Sequence, residues 1–181
     1  MQPSESPKVV SQQQTTEPPK SEDITPAFYF GGNERRAAAQ AWQNFIKDGR
    51  YRIARAEDFK MPEWTKTVYY SSSIKSAMEY PYCDGDINHD GVHDDFAFIV
   101  VDKTRDDANR FSIVIFNTRK GGKGYNEPRW LYRDSDLSRT TLGRSSDGPM
   151  HISQYRDNGD YSFCFVKWNR QRREYECNRI R

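Results

Sequence analysis

Two hydrophobic spacings divide the chain. In GGNERRAAAQAWQNFIKDGRY, the residues Ala38, Trp42, Phe45 and Ile46 recur at i, i+4, i+7 and i+8. That is one face of an α-helix. Asn33 stands where an N-cap belongs, Glu34 suits the positive end of the helix dipole, and Gly49 suits the residue after the last turn. The spacing predicts a helix over 34–48. Tyr51–Ala54 and Thr67–Ser71 look extended, EDFKMPEW between them is a loop, and Ser73–Glu79 reads as a helical turn closed before Pro81. From Phe96 onward the pattern is β throughout: FAFIVVD, RFSIVIFN, RWLYR, MHISQYR, YSFCFVKW and EYECNRI. DDAN, GGKG, SSDG, DNGD and NRQR supply the turns between them.

FAFIVVD is apolar at successive positions, so both faces of that strand are expected under cover, one of them beneath the helix. The fold class that follows is α+β, a mostly antiparallel β-sheet meander with one main N-terminal helix. No repeat of propeller or solenoid length is present. Residues 1–26, MQPSESPKVVSQQQTTEPPKSEDITP, offer only Val9, Val10 and Ile24 as sizeable apolar side chains. Burial of so little surface cannot offset the entropy of ordering. The expected organisation is a disordered tether over 1–26 and a single domain over 27–181.

Composition changes this picture in one respect. Charged residues make up 30% of the 181 residues and the mean hydropathy is −1.02, yet aromatics reach 14%. A small core built on large rings is therefore expected. No apolar run is long enough to span a membrane. No apolar h-region follows Met1, which fits a cytosolic chain or the mature form of a secreted or lipid-anchored one. The net charge of +2 is too balanced to argue for nucleic acid. The charge is uneven, though. Lys167, Arg170, Arg172, Arg173, Arg179 and Arg181 face only Glu174 and Glu176 near the C-terminus. Aromatics lie among them, so Arg170, Arg172 and Arg173 are candidates for binding a polyanion or single-stranded nucleic acid. A solvated sheet face is the plainer account.

Three cysteines leave one over. If NRQR turns a hairpin, Trp168 faces Arg173 and Cys164 lies directly opposite Cys177. Such a pair can close a disulfide, which implies an oxidising compartment. The alternative is a pair of buried thiols. Cys83 then stays free or displaces one partner.

The densest chemistry is DGDINHDGVHDD, residues 84–95, with Asp84, Asp86, Asp90, Asp94 and Asp95 and no Lys or Arg. Counted from Asp86 it reads D-x-N-x-D-G-x-x-D. Ca²⁺ takes several hard oxygens, and carboxylates and amides at alternate positions converge when the chain wraps the ion. Asp86, Asn88 and Asp90 supply those positions and Gly91 allows the sharp turn. Val92 offers its carbonyl and Asp94 closes the shell. Counting from Asp84 puts His89 where the glycine belongs. Without a cation the acids repel one another, unless arginines from elsewhere neutralise them; a metal-free turn is the simpler alternative. His89 and His93 fall on the loop, not a helix, which removes the usual zinc spacing.

The loop resembles the calcium loops of FG-GAP and VCBS-type repeats, also seen in dockerins and EF-hands. The strand DDFAFIVV leaving directly from the loop is part of the likeness. The resemblance implies structural Ca²⁺ held by Asp86, Asn88, Asp90, Val92 and Asp94. It departs from an EF-hand in having Ala97 at the twelfth position, and from a propeller in having one copy. The wider stretch, with RDSDLSRT at 133–140, looks like bacterial extracytoplasmic proteins carrying a single such loop.

No nucleophile elbow, zinc-protease helix or phosphate loop is present; GGKGY lacks the ending of a P-loop, and the clustered acids suit one metal better than two opposed glycosidase carboxyls. His151 alternates with Ile152 and reads as structural. The expectation is a calcium-stabilised interaction module of the periplasm or cell surface, more a binder than an enzyme, with a protein or envelope glycan as partner. A hydrolase with an unrecognised active site and a polyanion binder are the alternatives.

Overall fold

The computed structural model describes residues 36–62, 81–121, 124–144 and 148–179. The expected tether, the proposed caps Asn33 and Glu34, the strand at 67–71 and the turn at 73–79 lie outside those residues. Helix α1 runs Arg36–Ile46, and β1 (Tyr51–Ile53) follows. Gly49, at φ 71°, donates its backbone N–H to the Ile46 carbonyl and ends the helix as its position predicted. A 3₁₀ turn, Ala56–Asp58, precedes β2 (Tyr82–Gly85), β3 (Asp95–Asp102), β4 (Phe111–Phe116) and β5 (Arg129–Ser135). Then come β6 (Thr140–Arg144), β7 (Met150–Tyr155), β8 (Tyr161–Asn169) and β9 (Glu174–Arg179).

The α+β class holds, and among the described residues every strand pair is antiparallel. The meander divides between two sheets. One has the order β1-β3-β4-β5, with β2 also pairing β3; the other is β6-β7-β8-β9. β3 explains the layering. Phe96, Phe98 and Val100 pack with Ala38 and Trp42 of α1. The alternate residues Ala97, Ile99 and Val101 join Leu142, Ile152, Cys164 and Val166 of the second sheet. Period-two alternation thus sends one strand's side chains into two cores. The helix-side core is a ring stack: Trp42 lies 4.9 Å from Phe98 and Phe96 lies 4.4 Å from Phe116, centroid to centroid. Such contacts add to the large area each ring buries.

Two strands escape the sequence pattern. β2 ends in Asp84 and Gly85, and β6 contains Gly143. Aspartate and glycine are poor strand residues, so only the partner strand makes these segments extended. At Gly143 a Cβ would stand 2.5 Å from the His151 ring. Glycine is what lets that ring lie across β6.

The C-terminal hairpin corrects the expected cysteine register. The loop is 170–173, not 169–172: Asn169 pairs with Glu174 and Trp168 with Tyr175. Asn169 Oδ1 accepts from the backbone of Gln171 and Arg172, both at 3.0 Å, and Arg173 takes φ 55°. This side-chain cap starts the turn one residue later. Cys177 therefore sits opposite Val166, and Cys164 opposite Arg179. The cysteines are diagonal neighbours on one face, with Cα atoms 5.4 Å apart, and they form the disulfide Cys164–Cys177. Cys83 is free and buried between the sheets.

Candidate functional site

β2 and β3 form a hairpin in which Gly85 pairs with Asp95, so residues 86–94 are its loop. The nine-position register D-x-N-x-D-G-x-x-D occupies that loop from end to end. Asp86 organises the turn: its Oδ1 accepts the Asp90 N–H and its Oδ2 the Gly91 N–H, both at 2.9 Å. Asn88 Oδ1 accepts the same Asp90 N–H at 2.9 Å. Oxygens from the first and third positions thus converge on one point. Gly91 has φ 89°, the conformation the sharp turn requires. Asp90 Oδ1 accepts from Val92 N–H, and its Oδ2 from Asn88 Nδ2 at 3.1 Å.

His89 and His93 are exposed on the outside of the turn. Asp94 is exposed as well, and its backbone carbonyl accepts the Tyr125 hydroxyl at 2.8 Å. The structure thus gathers Asp86, Asn88 and Asp90 in one turn, with Val92 and Asp94 on its return limb. Among the described residues no group of three or more His, Cys, Asp or Glu is placed to hold a metal ion. The loop's oxygens instead take hydrogen bonds from the loop's own amides. The donor set still fits a hard cation: carboxylates and an amide on a turn with its glycine in the required conformation.

Asp95 is the residue that sequence reasoning left outside the site. It is fully buried at the base of the loop. Its Oδ2 accepts the N–H groups of Ile87 and Asn88, at 3.1 and 3.2 Å, and its Oδ1 that of Thr118 at 2.8 Å. One carboxylate thus pins the loop to the end of β4. Burial lifts its carboxyl to about 6, against the pull of these hydrogen bonds. Next to Thr118, Asn117 Oδ1 accepts a short hydrogen bond from the hydroxyl of Tyr175 on β9. Burial, with Asp95 nearby, raises that phenol well above its ordinary range. A chain of polar contacts therefore runs from the acidic loop across the first sheet to the second. A signal was present in the sequence. Asp95 shares the parity of Ala97, Ile99 and Val101, so it points into the inter-sheet core, and a buried carboxylate there needs partners.

The remaining candidates separate from this loop. Arg170, Arg172 and Arg173 are exposed at the hairpin tip, and Arg172 pairs with both Glu174 and Glu176. Of the three candidate arginines, Arg172 is thereby neutralised within the hairpin. Burial pushes the Cys83 thiol up to about 12, which removes its nucleophilic character. Burial also lowers the pKa of half-buried His151, in keeping with a structural ring. Among the described residues no helix is long and apolar enough to cross a membrane. Compared with protein-family models, curated proteins and solved structures, the chain finds no match in any of the three.

Proposed function

We propose that this protein is a non-enzymatic interaction module of an extracytoplasmic compartment, stabilised by one Ca²⁺ at the β2–β3 loop. The observation that carries the reading is the turn itself. Asp86 and Asn88 direct oxygens to one point, and Gly91 holds the positive φ that a wrapped cation loop needs. Asp86, Asn88, Asp90 and Asp94 would hold the ion through side chains and Val92 through its carbonyl. The ion would supply charge neutralisation and rigidity, not chemistry. The Cys164–Cys177 disulfide is compatible with an oxidising compartment.

A ligand that binds only the folded state raises its stability by mass action. The thermal midpoint of the full chain should rise by several degrees in millimolar Ca²⁺ and fall back with a chelator. Asp90→Ala should abolish that response while keeping the fold. A midpoint indifferent to Ca²⁺ and chelator, or a response that survives Asp90→Ala, removes the assignment.

A further inference from the structure

A cleft of about 770 Å³ lies between α1 and residues 124–128 with Phe116 and Arg119, which the Thr118–Tyr125 bridge and the Arg119 N–H to Gly124 carbonyl bond hold together. Its volume falls within the range of ligand sites. Half-buried Phe45 and Tyr125 supply an aromatic surface over the fully buried Phe116, and Lys47, Arg119 and Glu127 stand around it. Several charges elsewhere are held in ion pairs: Asp58 holds Arg52 and Arg110, Asp102 holds Arg50, and Asp157 holds Arg139. Lys47, Arg119 and Glu127 have no ion-pair partner among the described residues. Among the described lining residues, two cations stand against one anion.

The amides beside it are half used. Gln40 Nε2 donates to Asn44 Oδ1 at 3.0 Å, which leaves the Gln40 oxygen and the Asn44 nitrogen for other partners. Both side chains are exposed on the helix face that lines the cleft. A donor and an acceptor side by side on an exposed wall match the alternating groups of a peptide backbone. The helix wall from Ala37 to Lys47 is about 15 Å long at ~1.5 Å per residue. An extended segment of about four or five residues covers that distance at ~3.3 Å each.

From the unpaired charges, the aromatic surface and this length, we propose that the cleft binds a short extended peptide segment of a partner protein, carrying an acidic side chain for Lys47 and Arg119 and an apolar one for Phe45 and Tyr125. The inference rests on the reading of the chain as an interaction module and names where and what it would bind.

The test is a display selection of random heptapeptides on the immobilised full chain, run in Ca²⁺ and again in chelator. Enriched sequences should pair Asp or Glu with a large apolar residue. Their synthetic forms should bind the Lys47→Glu, Arg119→Glu double variant roughly tenfold more weakly, a change of about 1.4 kcal/mol. Lys60→Glu, a charge reversal outside the cleft, should leave binding unchanged. Replacing the peptide's acid by Lys should restore binding to the double variant, which a merely misfolded variant would not allow. No acidic enrichment, or selected peptides that bind the double variant as tightly as the parent, overturns the proposal. Peptide binding that persists while the Ca²⁺ response fails rejects the calcium reading alone; the reverse rejects the cleft alone.

Discussion

Gly85 at the entry to the acidic loop and Gly91 inside it take positive φ for different reasons, and alanine at each should separate them. Gly91, at 89°, has nothing within 4 Å of where a Cβ would sit. The penalty there is backbone strain alone, about 1 kcal/mol, because an L-residue can settle toward the left-handed well. Gly85 sits at 138°, far from that well, and its Cβ would stand 2.1 Å from the Arg144 guanidinium of the second sheet. The guanidinium is the end of a flexible chain and can move aside, but the backbone cannot relax without disturbing the Gly85–Asp95 pair. Gly85→Ala should therefore cost about 2–3 kcal/mol. Urea denaturation with unchanged m-values measures both. Equal losses would mean that the β2–β3 pairing does not fix the Gly85 backbone.

Between elements, the β8–β9 hairpin is held twice, by ring packing between Trp168 and Tyr175 at 4.9 Å and by the disulfide. The bond spans a sequence separation of 13, for which constraint of the unfolded chain contributes about 2–3 kcal/mol. Replacing both cysteines by alanine should lower stability by about that much and leave the hairpin paired. In the native protein Cys83 should resist alkylation, while unfolding without reductant should expose a single thiol; a second labelled thiol by mass spectrometry would contradict the bond. This hairpin also shows what was legible in the sequence. Strand period and apolar runs placed β3, β4, β5, β7, β8 and β9, and the helical stripe of Ala38 and Trp42 placed α1. The partner of Cys164 followed from proximity along the hairpin, but its register did not. That register depends on Asn169 capping the turn, a choice between neighbouring polar residues that hydrophobic period does not see. β2 and β6 were illegible for a related reason: Asp84, Gly85 and Gly143 become strand only through Phe96, Asp95 and His151 on the strands beside them. The position of the acidic loop was legible because it follows from residue type at fixed spacing; for Asp95 strand parity could show burial, but its partner Thr118, beyond the end of β4, could not be read from the sequence.

Across the molecule, buried acids fasten both ends of β3. At its start Asp95 holds the loop. At its end Asp102, fully buried, accepts from Arg50 Nε and Nη2 at 2.8 and 2.6 Å and from Thr104 N–H and hydroxyl at 2.9 and 2.6 Å. Burial alone would raise the Asp102 carboxyl. The Arg50 and Thr104 hydrogen bonds outweigh it and hold the group down at about 2. An unfolded aspartate titrates near about 3.9. The folded value is the lower one, so the stability Asp102 contributes is fully present above about pH 4. It is lost as the pH falls through the folded value near 2. Asp95 works in the opposite sense, its carboxyl lying near 6, but it is common to both proteins compared here. Asp102→Asn should therefore be less stable than the parent at pH 7, and the gap should narrow steadily between pH 4.5 and 2. Asn accepts from Arg50 through one oxygen and donates where Thr104 also donates, so it cannot replace the carboxylate at any pH. Urea midpoints across that range decide the matter: curves that stay parallel down to pH 2 would show that Asp102 does not gain its stability from the charged form.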